Sequence, residues 1–212
     1  MATLTVYPDA GNPGTTSCNA RALVSNAVWA TARGATNADE IRMGFAANFI
    51  CRAHTIGDYF IDRGFFLFDT SALTAGATIS AAVLSFAADG TAVLNANTST
   101  IHIVASTPAS NTTIVVGDFD QVGATSFASM ALSSWVATNT TYNDFTLDAN
   151  GRANISKTGV SKFACRNSRD LDNLAPTGNN TVQAYYSDQT GTTTDPKLVI
   201  TYTLPPAGGF FA

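Results

Sequence analysis

The sequence predicts an all-β protein, an antiparallel β-sandwich of jelly-roll type, and three observations support this prediction. The first is the consecutive apolar run at 65–68, Phe-Phe-Leu-Phe, which makes both faces of an extended segment apolar, as in a central strand buried on both sides. The second is that only 12% of residues are charged, while Thr, Ser, Asn and Gly are abundant. The third is a series of short β-branched and aromatic segments about ten residues apart, with polar turns between them.

The N-terminal part of the chain has the weaker strand signals. Residues 3–7 alternate, with Leu4 and Val6 on one side, and predict a first strand. Two further strands are predicted at 26–33 and 41–51.

The stretch 58–86 is the centre of the predicted fold. It contains two apolar runs, which are separated by turn and cap residues at 69–71 and by Gly76. We therefore expect two core strands joined by a short turn.

The second half continues the pattern of short strands. Residues 125–135, rich in Ser and Ala, form the only segment that favours a helix. Strands are expected at 101–104, 113–116, 161–167, 182–187 and 198–203.

We find no internal repeat and no linker, so residues 1–203 are predicted to form one domain. Residues 204–212, LPPAGGFFA, are predicted to be a separate tail, because two prolines exclude a sheet interior. Phe210 and Phe211 follow two glycines, and we expect them to attach the protein to a neighbouring subunit.

The overall charge excludes some classes of partner. A net charge of −4 with scattered arginines argues against nucleic acid, which requires clustered basic residues. No apolar run reaches the roughly 18 residues of a membrane span, and residues 1–20 lack a secretory signal pattern. Cys18, Cys51 and Cys165 are an odd number, so either a Cys18–Cys51 bridge or buried free thiols would fit.

Several segments resemble one known family. They are 63–71 (RGFFLFDTS), Ile79, Ala82, Leu84 and Phe86, then 186–188 (YSD), Gly191 and 195–202 (DPKLVITY). Over residues 58–202 the chain resembles the DNRLRE-like jelly-roll modules of secreted and virion-associated proteins. The resemblance implies a jelly-roll fold and a passive module of surface proteins, without naming a ligand.

Arg63 directly precedes the most apolar run of the chain. A charge in that position needs a partner, and Asp62 points to the opposite face of the same strand. We therefore expect Arg63 to form a structural ion pair with an Asp of the loop 117–123, GDFDQVG.

Neither metal binding nor catalysis has a strong signal, and we expect a non-enzymatic protein without a resident cofactor. A structural calcium ion would use Asp118 with Asp120, or Asp170 with Asp172. Cys51 and His54 have ligand-like spacing, but no second pair follows.

Aromatic residues could provide a stacking platform for a sugar on an exposed sheet face. The candidates are Trp29, Trp135, Tyr185 and Tyr186. The alternative interpretation is that these side chains belong to the core.

Together these features favour a structural and adhesive protein on a virion surface, either decorating the capsid or associated with the head or tail. Its expected partners are capsid or tail proteins, or other copies of the same chain. The alternative is an extracellular protein, either a carbohydrate-binding module or the subunit of a fibre.

Overall fold

The computed structural model describes residues 1–11, 17–43, 47–90, 99–187 and 190–205. Within these ranges the chain forms twelve strands, and three helices of five residues or fewer. The strands are β1 Ala2–Val6, β2 Asn19–Asn26, β3 Glu40–Arg42, β4 Ala47–Ile56, β5 Asp58–Asp69, β6 Thr78–Ala87, β7 Thr100–Ala105, β8 Ala128–Ala131, β9 Tyr142–Thr146, β10 Val160–Asn167, β11 Asn180–Tyr185 and β12 Lys197–Thr203. The helices are α1 Trp29–Arg33, α2 Ala149–Ala153 and α3 Ser168–Leu171.

These strands form two antiparallel sheets, and the prediction of an all-β sandwich is confirmed. The smaller sheet has the order β1-β12-β6-β9. The larger sheet has the order β11-β4-β5-β10-β7-β8, with β2 paired to β5 and β3 paired to β2, and it curls into a half-barrel.

The central strand of the larger sheet, β5, changes partner along one edge. Residues 59–66 pair with β2, so β2 occupies one edge. On the other edge β4 pairs with residues 58–63 and β10 pairs with residues 64–69. The two strands meet at Gly64, where an added Cβ would lie 2.5 Å from the carbonyl oxygen of Ile50. A glycine is required at this junction because the backbones approach so closely.

The apolar run at 65–68 is buried on both sides, as its sequence predicts. Phe66 and Phe68 face the inner core between the two sheets, where Phe66 packs against Phe86 of β6 at 4.7 Å between ring centroids. Phe65 and Leu67 face a second, outer core on the far side of the larger sheet. β5 therefore belongs to both hydrophobic layers.

The outer core is covered by segments without long regular structure. Ala32 of α1, together with Ile114 and Phe119 from the connection between β7 and β8, packs on the outer face. This covering layer positions the charged groups described in the next section.

The predicted strand at 26–33 is wrong. The strand in this region is β2, and Trp29 begins the helix α1. Alanines favour a helix in this segment, and burial of Ala32 against the outer core stabilises it. The strand at 41–51 is also corrected, because the structure has β3 and β4 there.

The predicted helix at 125–135 is also wrong. This segment contains β8, which pairs with β7, followed by a 3₁₀ turn at Leu132–Ser134. Ala128 and Met130 pack against the inner core, so the segment follows the two-residue period of a strand.

No strand forms at 113–116. Only Ile114 is buried there, while Val115 and Val116 are 50% and 46% exposed. A 3₁₀ turn at Val116–Asp118 follows, and Asp118 Oδ2 accepts a hydrogen bond of 2.8 Å from the amide of Val115. The capping carboxylate stabilises a turn in place of a strand.

Candidate functional site

Arg63 lies on the outer face of β5, in the same row as Ile61 and Phe65. It is 3% exposed, so its positive charge is held in the outer core and requires compensation from the protein.

The partner of Arg63 is Asp170 of α3. Arg63 Nε donates to Oδ2 at 2.8 Å, and Nη2 donates to Oδ1 at 2.7 Å, which makes the pair bidentate. Arg166 of β10 binds the same two oxygens with its own Nε and Nη2, at 2.8 and 2.9 Å. One buried carboxylate is therefore held between two guanidinium groups.

The predicted partner of Arg63, an Asp of the loop 117–123, is wrong. This loop contributes the carbonyl oxygen of Phe119, which accepts from Arg63 Nη1 at 2.7 Å, and the Phe119 ring, whose centroid lies 4.1 Å from the guanidinium carbon. Asp118 instead caps backbone amides, and Asp120 is exposed. The loop covers Arg63 with a dipole and an aromatic face.

Arg33, the last residue of α1, brings a third guanidinium group to Asp170. Its Nε donates to the carbonyl oxygen of Asp170 at 2.7 Å and lies 3.9 Å from Oδ1. Burial raises the pKa of Asp170, but Arg63 and Arg166 outweigh this effect, and the pKa falls to about 2. Asp170 is therefore ionised throughout the physiological pH range.

An open pocket of about 160 Å³ lies against this network. Its charged lining consists of Arg33, Arg63, Arg166 and, on the surface, Asp120. Val122 and the backbone around Gly34 complete the wall. The pocket thus combines three cationic side chains with one exposed carboxylate, and we call it the arginine pocket.

A second charged network lies on the opposite face of β5. Asp62 is 1% exposed. Arg21 Nε lies 3.0 Å from its Oδ1, and Arg52 Nε donates to Oδ2. Glu40 forms ion pairs with two arginines: its Oε2 lies 3.2 Å from Arg21 Nη2, and its Oε1 lies 2.7 Å from Arg42 Nε. This network connects β2, β3, β4 and β5, and no local pattern in the sequence indicates it because its members lie on four separate segments.

The four acidic residues considered for calcium do not come together. Asp118 caps backbone amides and Asp170 is surrounded by arginines, while Asp120 and Asp172 are exposed. Over the described ranges, no group of three His, Cys, Asp or Glu residues is arranged to hold a metal ion.

The predicted row of stacking aromatics is wrong for two of its four members. Trp135 and Tyr186 are 6% and 1% exposed and belong to the inner core. Trp29 and Tyr185 are half-buried. Trp29 Nε1 donates to Asn173 Oδ1 at 3.0 Å, and the hydroxyl of Tyr185 donates to an amide oxygen at 2.7 Å. The four side chains do not form a common exposed platform.

The three cysteines are free thiols in the structure. Cys18, Cys51 and Cys165 are all buried, and burial raises the pKa of each thiol. A thiol in such surroundings is a poor nucleophile.

His102 Nδ1 lies 2.9 Å from the hydroxyl of Ser126, and the ring of His54 packs near Phe60. Neither histidine belongs to a metal-binding group within the described ranges.

The assembly residues Phe210 and Phe211 lie outside the described residues. The role of the tail therefore stays a prediction, as does the assignment of 1–203 to one domain.

No protein-family model matches the chain, and comparison with curated proteins found no match. In the described ranges no helix is long and apolar enough to cross a membrane.

Proposed function

We propose that this protein is a non-enzymatic structural module that assembles with other copies of itself through the open edge of its smaller sheet. The setting that we propose is the surface of a virion, which the features of the sequence taken together favour over an extracellular location. The observation that carries the proposal is the exposed edge of β1.

β1 is the last strand of the smaller sheet on one side, so its outer edge has no strand partner among the described residues. It contains no charge and no proline, and its pairing with β12 has no register shift. Thr3 and Thr5 are exposed, whereas Leu4 and Val6 turn partly into the inner core. Edge strands of monomeric proteins usually carry charges, prolines or bulges that prevent pairing, and β1 has none of these.

The opposite edge of the same sheet is protected. Asp144 places a charge on β9. Asn143 makes hydrogen bonds in both directions with the backbone of Val136, at 2.8 and 3.0 Å, so a neighbouring segment lies along this edge. The contrast between the two edges favours strand addition at β1.

A symmetric dimer would pair β1 with β1 of a second copy in antiparallel orientation. Such an interface is self-complementary, because the same strand supplies both halves. It would extend the smaller sheet across two subunits through backbone hydrogen bonds.

The test is the sedimentation of the wild type and of the double variant Thr3→Lys/Thr5→Lys. We expect the wild type to form dimers or larger assemblies and the variant to sediment as a monomer, because like charges would meet across the interface. The double variant Ala81→Lys/Val83→Lys is the matched control. Thr3 and Thr5 pair with residues of β12 that pair in turn with Ala81 and Val83, so the control places the same two charges two strands away from the edge.

A wild type that remains monomeric at its highest soluble concentration would refute assembly through β1. A control that dissociates as readily as Thr3→Lys/Thr5→Lys would show that surface charge alone is responsible. Deletion of residues 204–212 tests the contribution of the tail separately, since it leaves β1 unchanged.

A further inference from the structure

We propose that the arginine pocket binds a small oxyanion, of the carboxylate, sulfate or phosphate class. The pocket is formed entirely by described residues from α1, β5, β10 and the loop before β8. It lies on the outer face of the larger sheet, so this proposal does not depend on pairing through β1.

The arginine pocket carries an excess of positive charge. Arg63 and Arg166 are 3% and 5% exposed, and both share the single carboxylate of Asp170. Arg33, whose side chain is 31% exposed, adds a third positive charge. Asp120 is the only acidic residue in the pocket lining, and its carboxylate accepts a hydrogen bond from Gln121 at 2.7 Å. The cluster therefore keeps excess positive charge, which an anion would neutralise.

The arginine pocket also offers hydrogen-bond donors to a ligand. A guanidinium group has five N–H groups. In Arg33, Nε donates to the carbonyl oxygen of Asp170, and Nη2 donates to the carbonyl oxygen of Leu171. Its Nη1 makes no hydrogen bond to the described residues, and Nη1 of Arg166 uses one bond, to the carbonyl oxygen of Gly123 at 3.0 Å. Donors for a planar or tetrahedral oxyanion are thus present at the pocket.

Two of the three arginine side chains are held in place by the protein. Arg63 and Arg166 are each fixed by two bonds to Asp170 and by further bonds to backbone carbonyl groups. Their positions are set before any ligand arrives, so binding requires little ordering of these side chains. With about 160 Å³ the pocket has room for an oxyanion, given that one water molecule occupies about 30 Å³ in the liquid.

The experiment is titration calorimetry of the full chain with sodium sulfate, sodium phosphate and sodium acetate, with sodium chloride at matched ionic strength as reference. We expect heat of binding at one site for at least one oxyanion, beyond the chloride reference. The three salts distinguish the classes, because acetate is a planar monoanion and the other two are tetrahedral.

Two variants locate the site. Arg33→Gln should weaken binding about tenfold or more, because it removes a charge-assisted donor, and it should fold because Arg33 is partly exposed. Asp120→Asn should strengthen binding about twofold to fivefold, because it removes a repulsive charge at the surface. A merely structural role of Asp120 would not produce this gain.

Arg152→Gln is the matched control, since Arg152 lies in α2 and lines a different pocket. It should leave binding unchanged. The proposal is overturned if the oxyanions bind no better than chloride, if Arg33→Gln binds as the wild type does, or if the control loses binding equally. Near-ultraviolet circular dichroism of each variant establishes that its fold is retained.

Discussion

Replacing Asp170 by Asn should destabilise the protein strongly at neutral pH. The change leaves Arg63 and Arg166 in the outer core without the carboxylate that they share. Removing one member of a buried ionic group typically costs about 3–5 kcal/mol, because the remaining charge is left uncompensated. We expect the free energy of unfolding of Asp170→Asn at pH 7 to be lower than that of the wild type by an amount in this range.

The pH dependence provides an independent measure. The pKa of Asp170 is about 2 in the folded protein, and that of an unfolded Asp is about 3.9. Because the pKa is lower in the folded protein, the ionised carboxylate stabilises the fold fully at pH values above the pKa of the unfolded state. This contribution disappears as the pH falls towards 2. The ionisation of Asp170 therefore contributes about 2.6 kcal/mol to the free energy of unfolding at pH 7 and roughly half of that at pH 3. The groups facing Asp170, namely Arg33, Arg63 and Arg166, stay charged over this range.

The assay is urea unfolding of wild type and Asp170→Asn between pH 3 and pH 7, followed by tryptophan fluorescence, to which Trp29 and the buried Trp135 both contribute. The difference in free energy of unfolding should be largest at pH 7 and should shrink towards pH 3. A loss below about 1 kcal/mol at pH 7, which is typical of exposed pairs, or a difference independent of pH, would refute this account of the network.

A triple variant separates charge from packing. Replacing Arg63 and Arg166 by Met and Asp170 by Leu removes all three charges together, and such exchanges are often neutral or stabilising. We expect the triple variant to be more stable than Asp170→Asn. If the two are equally unstable, lost packing rather than unpaired charge explains the defect.

Two further predictions concern the junction on β5. Gly64→Ala should destabilise the protein by about 1–3 kcal/mol or more, because its Cβ would lie 2.5 Å from the Ile50 carbonyl oxygen. Gly159→Ala, whose Cβ would meet its nearest neighbour at 3.4 Å, is the control, and equal urea midpoints for the two variants would contradict the argument. Cys51 and Cys165 should react with a thiol reagent only after unfolding, since both are fully buried and burial raises the pKa of each. Cys51 pairs with Arg63 and Cys165 pairs with Gly64, so both thiols lie at the junction of β4 and β10 on β5. Rapid labelling of either thiol in the folded protein would show that these strands separate there, and would contradict the prediction.

The sequence predicts the centre of the fold better than its periphery. Consecutive large side chains at 65–68 leave β5 no exposed face, so the strand and its burial follow directly from the sequence. In β2 the outer core is contacted by Ala20 and Ala22, and small side chains give little contrast between buried and exposed positions. The helix α1 was missed for the same reason.

The candidate site follows from the sequence only in part. The need for a partner at Arg63 was visible because a charge stood beside an apolar run. The identity of that partner was not, since Asp170 lies 107 positions away and Asp118, in the loop where the partner was expected, caps a turn. Arg33 and Arg166 were missed because nothing in their local sequence connects them to Arg63. Only the packing of α1 and α3 against the sheet brings these residues together.

The exchange of partners at Gly64 has a consequence for how the chain is made. The half of β5 at 58–63 pairs with β4, the strand that precedes it in the chain, whereas the half at 64–69 pairs with β10, which is synthesised about a hundred positions later. During synthesis the phenylalanine-rich half of the strand is thus available early and enclosed late. A ribosome-bound or truncated chain that ends before Val160 would present this half to solvent and to other nascent chains. Successful production of the protein therefore depends on how quickly the segment from β7 to β10 arrives.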